Sequence, residues 1–555
     1  MANTGNILST AVSGLRAFQQ NLATTGHNIT NVSTEGYSRQ AVDMATRTPF
    51  ASGAGYIGSG VTVSSIQRVY DQFTADQVTS RLSGFNQADT LSTMAKQIDS
   101  LLADENVGLN PALQEFFNSV QGVANNPTSI PARDTLIADA NILTNKFQSL
   151  NERLESQRTT VNQQLETMTE EVTSIAASIA EINNDIVRSQ GQAGGAPPND
   201  LLDKRDVLIN QLAELVSVRT VDNTDGSINV FVGNGQTLVL GSTSASLTTV
   251  NSNFDLSEIE VGVSNGGTTV PISSQISGGK LGGLLAYRDQ VLDVAQNNLG
   301  RISMALADQF NTQHQLGDDL NGAAGGLFFN DIVNSSPKVF SNANNNPLSG
   351  VFNVNITDTN EIKASDYRLS YDGTNFSLLR LSDETVVDTF NIGNLPRMVA
   401  GEGIQLVLSG AISAGDTFLV RPVRDAAGDI GVNITDGAEI AAAATGNASG
   451  DNSNALALAA MQQSKGMGNS TETFQSAYAG LVASVGVTSR EAQVNSSAQK
   501  GLLERAQAAQ AEISGVNLDE EAANLLRFQQ AYQAAAQLVR ISDEVFQTLL
   551  GATAR

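Results

Sequence analysis

Few residues in this 555-residue sequence have the type and spacing to do chemistry. His27 and His314 are its two histidines, and neither has a second histidine within helical reach, so no paired imidazole set for a metal is spelled out. The H-E-x-x-H run of a zinc protease is also missing, and a structural or solvated role is expected for both. Asp318-Asp319-Leu320-Asn321-Gly322 has the start of a calcium loop without the ligand ladder or the closing glutamate, and it reads as an acidic turn. Gly233-Asn234-Gly235-Gln236 is too short to cradle a dinucleotide and reads as a hairpin turn. Glu520 and Glu521 could form a carboxylate pair, but they open a helix, where negative charge complements the macrodipole. With no cysteine in the chain, a thiol nucleophile, a thiolate metal site and a disulfide are all excluded. The expectation is therefore no catalytic residue, no metal and no cofactor.

Composition narrows the partners. Against 31 basic side chains stand 56 acidic ones, a formal charge of −25 that repels a phosphate backbone, so no nucleic acid is expected. No run approaches the ~18 apolar residues that cross a bilayer, so no membrane insertion is expected. The first ten residues carry no positive charge, and export without a cleaved signal peptide is the expected route if the protein leaves the cell. Aromatic residues are only 5 % of the chain, which suits long helices with narrow apolar stripes better than one large core, and the length calls for several folded units.

The apolar periods supply those units. Leu8, Ala11, Leu15, Phe18, Leu22, Thr25 and Ile29 alternate at three and four residues, the seam of an amphipathic helix that stops at Asn31 and leads into an extended arm with Val61 and Val63. From Gln72 to Val187 the period is helical again, broken near Asn110-Pro111 and between Asn125 and Pro131. Its last stretch keeps heptad spacing from Leu143 to Ile186, with Gln157 filling one seam position, and at 1.5 Å per residue ~50 residues make a rod of roughly 75 Å. Asn199-Asp200 can cap the next helix, to about Val216. Short alternating runs over 219–278 and again over 328–432 read as β structure. Helical spacing returns at Leu281–Leu306 and after 454, where Leu518, Ala522, Leu525, Tyr532, Ala536, Val539, Phe546 and Leu550 mark a second terminal seam. Isolated helices are marginal in water, so the two terminal helices must pair or stay disordered.

The fold class expected is multidomain, mainly α with β insertions: a long coiled-coil rod built from the N- and C-terminal parts of the chain and carrying two small β-rich domains. Residues 1–70 with 500–555 form a terminal helical unit and arm, and 71–218 with 279–327 and 450–499 the rod. Residues 219–278 form one small β domain and 328–435 an outer one.

Ser13-Gly14-Leu15-Arg16-Ala17, Asn28-Ile29-Thr30-Asn31 and Thr34-Glu35-Gly36-Tyr37-Ser38-Arg39 resemble the N-terminal signature of flagellar rod, hook and hook-associated proteins. Val516-Asn517-Leu518-Asp519-Glu520-Glu521 and Phe528-Gln529-Gln530-Ala531-Tyr532 resemble the matching tail. Inside the chain, Asn199-Asp200-Leu201-Leu202-Asp203-Lys204-Arg205-Asp206 and Phe310-Asn311-Thr312-Gln313-His314 resemble segments of the hook-associated protein 1 branch. The resemblance implies a structural subunit of the bacterial flagellum, extracellular at the hook–filament junction. It implies type III export with a chaperone on the C-terminal segment, then a ring of copies on the hook tip between hook protein and hook-associated protein 3. Asn28, Asn31, Gly36, Tyr37, Asn517, Asp519 and Glu520 are the motif positions, and Leu8, Leu15, Phe18, Leu22, Ile29, Leu518, Leu525, Tyr532, Val539, Phe546 and Leu550 the assembly interface. The ends are expected to fold on incorporation. Another axial subunit, hook protein or hook-associated protein 3, is the nearest alternative, and an adhesin or enzyme carried on the β domains a more distant one.

Overall fold

The computed structural model describes residues 2–52, 55–104, 108–265, 267–334 and 338–553. Helix α1 (Ala2–Thr30) leads into the arm, strands β1 (Gln40–Thr46), β2 (Phe50–Ser52), β3 (Gly55–Ile57) and β4 (Val61–Arg68), in which β1 pairs antiparallel with β4 and β2 with β3. Helices α2 (Gln72–Ala103), α3 (Asn110–Asn125), α4 (Ile130–Gln192) and α5 (Asn199–Leu215) follow, and their boundaries have local causes. The Asp71 carboxylate accepts the Thr74 amide at 2.8 Å to cap α2, and Ser129 caps α4 with Pro131 in its first turn. With 63 residues, α4 is longer than its heptads suggested and measures ~95 Å.

Strands β5 (Val218–Asp222), β6 (Ile228–Val232), β7 (Gln236–Leu240) and β8 (Thr243–Ser244) form a four-stranded antiparallel sheet in chain order. Strands β9 (Ser246–Asn251), β10 (Ile259–Asn265) and β11 (Thr268–Pro271) form a three-stranded one, and both sheets lie on α4. Helices α6 (Gly279–Tyr287) and α7 (Asp293–His314), joined by one wide turn, return the chain to the helical body before β12 (Gly317–Asp318). The outer β unit has a five-stranded sheet of order β13-β20-β15-β16-β17 beside a three-stranded sheet of order β14-β19-β18. Its strands are β13 (Val339–Ser341), β14 (Val351–Ile356), β15 (Tyr367–Tyr371), β16 (Asn375–Arg380), β17 (Thr385–Asn391), β18 (Arg397–Val399), β19 (Ile404–Ser409) and β20 (Thr417–Val420). The chain closes with α8 (Ala426–Asp429), β21 (Ala443–Ala444), α9 (Ser453–Ala460), α10 (Phe474–Ser514) and α11 (Leu518–Thr553).

Two of these helices meet across nearly the whole sequence. Tyr478 Oη donates to the Leu102 carbonyl at 2.8 Å, Ser496 Oγ to Asp89 at 3.1 Å, and Leu503 and Ala506 bury Val78, so α10 runs antiparallel along α2. On α4 the heptad apolar positions Leu143, Phe147, Leu150, Leu154, Val161, Leu165, Val172, Ile179 and Ile186 are buried as their spacing predicts. The seam departs from the expectation at three points. Arg158, Thr169 and Asn183 face the core, while Gln157, Met168 and Ile182 are half-buried. Asn183 earns an inward place because its amide donates to the Ile228 and Gly241 carbonyls at 2.9 and 2.7 Å and its oxygen accepts the Ile228 amide at 3.2 Å, stitching β6 and the turn after β7 to the helix.

The scarce aromatic residues are concentrated. Phe116, Phe310, Phe328 and Phe329 sit with ring centroids 4.8 to 6.2 Å apart where α3, α7 and the entry to the outer unit meet. Rings at such tilted geometries add to the area they bury. Phe310→Ala is expected to cost about 3–5 kcal/mol in urea denaturation, since the rigid neighbours around it cannot collapse into the space.

Candidate functional site

The end of α1 is where the motif residues gather. Asn28 is fully buried, and each of its side-chain atoms is used twice. Its amide donates to the Gln40 carbonyl at 3.0 Å and to Glu521 Oε2 at 3.2 Å. Its oxygen accepts the Tyr37 hydroxyl at 2.7 Å and the Gln40 amide at 2.9 Å. One side chain thus ties α1, the turn after it, the first arm strand and α11, whose sequence position is 493 residues away. Burial, reinforced by the carboxylates of Asp200, Asp203 and Glu521, pushes the Tyr37 phenol well above its ordinary pKa, so it stays a donor. Asn31 closes the helix by donating to the His27 carbonyl at 2.9 Å, and Gly36 makes the turn at φ +73°, where a Cβ would stand 2.2 Å from Val207 Cγ2 on α5.

A ring of charge surrounds this hub. Arg39 pairs with Glu520 at 2.9 Å, and the Asn517 side chain caps α11 by accepting the Asp519 amide at 2.9 Å. The Ser38 amide donates to Asp203 at 3.1 Å, and Arg68, at the end of β4, reaches Asp203 at 2.9 Å and Asp206 at 2.6 Å. Asn199 and Asp200 do not cap α5 as the sequence suggested, because Pro198 occupies the cap position. They face the arm instead: Asn199 donates to the Ile66 carbonyl at 3.0 Å, and Asp200 accepts from Gln40 Nε2 at 3.0 Å. Glu520 and Glu521 do open α11, but both carboxylates also have specific cross-chain partners. Sequence spacing cannot show such contacts, which join segments hundreds of residues apart.

Helix α1 lies between the arm and α11. Its most buried positions are small or polar, Ala11, Ser13, Ala17, Asn21, Thr24, Thr25 and Asn28, and two of them hold the arm besides Asn28: Ser13 Oγ accepts the Val61 amide at 3.1 Å and Asn21 faces Met44. Leu15, Phe18, Leu22 and Ile29 are half-buried beside them, as are Leu525, Tyr532 and Val539 on α11. Leu8, Leu518, Phe546 and Leu550 remain 41 to 52 % exposed. The joint therefore brings the motif positions together and leaves several apolar seam positions open within a single chain.

His314 has the structural role expected of it. Nδ1 lies 2.8 Å from the Gly326 carbonyl and Nε2 accepts the Ala441 amide at 2.9 Å, which fits one neutral tautomer. Its neighbour in the resemblance motif, Asn311, bonds the backbone of Phe328 and Phe329.

A family model described as flagellar hook-associated protein FlgK helical domain matches residues 95–329, and one described as flagellar hook-associated protein 1, D2-like domain matches residues 340–422. Models of flagella basal body rod protein and of flagellar basal body rod FlgEFG protein C-terminal match 8–37 and 507–552. Flagellar hook-associated protein 1 of Salmonella typhimurium is 36 % identical over 560 residues, covering 98 % of this chain and 99 % of that protein. This chain belongs to the flagellar hook-associated protein 1 family. The hook-associated protein 1 of Bacillus subtilis is 26 % identical over 99 % of this chain and 98 % of its own length. The solved structure of the flagellar hook junction protein FlgK from Burkholderia pseudomallei superposes with a TM-score of 0.73 at 26 % identity, covering 79 % of this chain and all of that one. In this member of the hook-associated protein 1 family the polar joint is assembled from three of the matched stretches: Asn28 and Tyr37 from the first, Asp203 and Asp206 from the helical domain, and Glu520 and Glu521 from the last.

Asn28→Ala leaves the Gln40 backbone, the Tyr37 hydroxyl and the Glu521 carboxylate without a partner. A local loss of about 2 kcal/mol is expected, read as roughly 30-fold faster tryptic cleavage at Arg39 and Arg47. Burial pushes the His314 imidazole below its ordinary value. The unfolded chain therefore takes up a proton that the folded one refuses, and stability present above about pH 6.5 is lost as the pH falls through the depressed folded value. Urea midpoints at pH 7.5 and 5.5 should show that loss, and His314→Gln should remove its share.

Proposed function

We propose that this chain joins the distal end of the flagellar hook to the filament, as a structural subunit that assembles through its two terminal helices. The family is a structural one, and its members are flagellar hook-associated proteins. The observation that carries the reading is the joint: it holds α1 and α11 side by side in one chain while Leu8, Leu518, Phe546 and Leu550 stay open to a neighbour. Burying one such leucine contributes ~1.5–3 kcal/mol, so a ring of copies gains at every contact what the single subunit forgoes. The α1–α11 and α2–α10 pairs act as the coiled-coil rod. The units at 219–278 and 328–435 are carried on it as separate β-rich domains.

In this reading hook protein lies below the ring and hook-associated protein 3 above it. Before assembly, the open α11 face is what an export chaperone covers, and the subunit leaves through the flagellar type III apparatus without a cleaved signal. Among the described residues no helix is long and apolar enough to cross a membrane. Between the chaperone and the ring the far ends of α1 and α11 gain order as neighbours cover them.

Electron microscopy of isolated hooks incubated with gold-labelled protein tests this. Label is expected at distal hook tips, and a Leu518→Ser, Phe546→Ser, Leu550→Ser triple variant, altered only where side chains are exposed, is expected to fold and yet lose at least nine-tenths of that label. Label along the hook sides, or equal tip labelling by the variant, would overturn the assignment.

A further inference from the structure

The outer β unit is connected to the helical body by two passing segments, and where they cross lies a charged cluster taken almost entirely out of water. Lys338 leads into β13, Arg421 and Arg424 follow β20, and the Arg421 amide donates to the Lys338 carbonyl at 2.8 Å. A two-segment connection of this kind is free to hinge unless something holds it. Here the return segment is pressed against α7, where a Cβ on Gly300 would stand 1.9 Å from the Val423 carbonyl oxygen, with no room for even one methyl group.

The cluster draws on every part that meets there. From the outer unit comes Asp366, just before β15, whose Oδ2 accepts from Arg424 at 2.6 Å and Arg421 at 3.2 Å. From the β9–β10 connection come Asp255 and Glu258, both paired with Arg421, the latter at 2.7 Å. From α7 comes Asp293, shared by Arg424 at 3.1 Å and by Arg158 of α4, while Arg158 and Arg288 also approach Glu258 at 3.3 and 3.8 Å. The side chains of the four arginines are 5 to 7 % exposed, and Asp366 is 6 % exposed.

Four buried guanidinium groups set against six carboxylates, the four above with Asp289 and Glu260 beside Arg288, are not the cheapest way to make two surfaces adhere, since apolar side chains of similar volume do that without the desolvation cost. What the charges supply is geometry. Each guanidinium fork accepts its carboxylates in few orientations, and a shift of an ångström or two leaves an ion buried with no partner. We propose that this cluster is an electrostatic latch that fixes the angle of the outer β unit on the helical body, with Asp366 as the outer unit's carboxylate in it, beside the hydrogen bonds that Thr359 donates to Asp308 at 2.8 Å and Asn360 to Ser470 at 3.0 Å. The proposal stands on the fold alone and does not depend on where the subunit assembles.

The chain has no cysteine, so two spin labels placed at exposed positions, Thr167→Cys on α4 and Thr389→Cys on β17, report the angle without interference. Pulsed dipolar spectroscopy of the full chain is expected to give one narrow distance distribution, and Asp366→Asn to at least double its width while the helical circular dichroism is unchanged. If Asp366→Asn does not fold, Arg421→Lys, which keeps the charge and gives up the fork, is measured instead, with broadening again expected. A folded variant of either kind with the narrow distribution of the parent would overturn the latch, and so would a broad distribution in the parent itself.

Discussion

A helix with a narrow apolar stripe must find another such stripe or lose its order, and this chain has four of them whose main partner lies near its opposite end. Helices α1 and α11, and α2 and α10, are each separated by several hundred residues and packed side by side. Everything between leaves and re-enters that frame. The β-rich stretches lie between paired helices in sequence, so the chain can carry large excursions while its two ends stay together. A subunit whose ends must lie together in a shared assembly has in this pairing the geometry it needs.

Packing alone leaves such helices free to slide and rotate, and the polar joint removes that freedom. Asn28 can satisfy Gln40, Tyr37 and Glu521 at one register of α1, α11 and the arm and at no neighbouring one. A displacement by one turn leaves buried donors and a carboxylate unpartnered, each at a cost comparable to a good apolar contact. The Arg68–Asp203–Asp206 and Arg39–Glu520 pairs extend the same specification to α5 and the arm. Leucines then provide adhesion and asparagine provides alignment.

The helices were legible in the sequence because their causes are local. Pro111, Pro131 and the asparagines before them mark the ends of α2, α3 and α4, and the three-four spacing of Leu143 to Leu165 points inward as it must. The β stretches were legible as such from Gly- and Asn-separated alternation, though not their sheet orders. Illegible were the polar side chains with distant partners. Arg158 in place of Gln157 on the buried face of α4 depends on Glu258 and Asp293, 100 and 135 residues on. Asn199 and Asp200 looked like caps because nothing in the local sequence announces the arm that needs them. The tight face of α1 is legible in part: Ala11 and Thr25 of the seam lie deep, as do Ala17 and Thr24, which the three-four spacing passes over, while the bulkier leucines flank them.

Hydrogen exchange on the free full-length subunit, resolved by mass spectrometry, tests most directly whether the two ends are aligned within one chain. If the polar joint sets the register before assembly, amides around residues 24–30 and 521–535 are protected well above those of residues 6–10 and 541–550, with protection falling away from Asn28 and Glu521 along both helices. Uniformly unprotected amides through α1 and α11 would contradict it, and would place the pairing, with its alignment, entirely in the assembled ring.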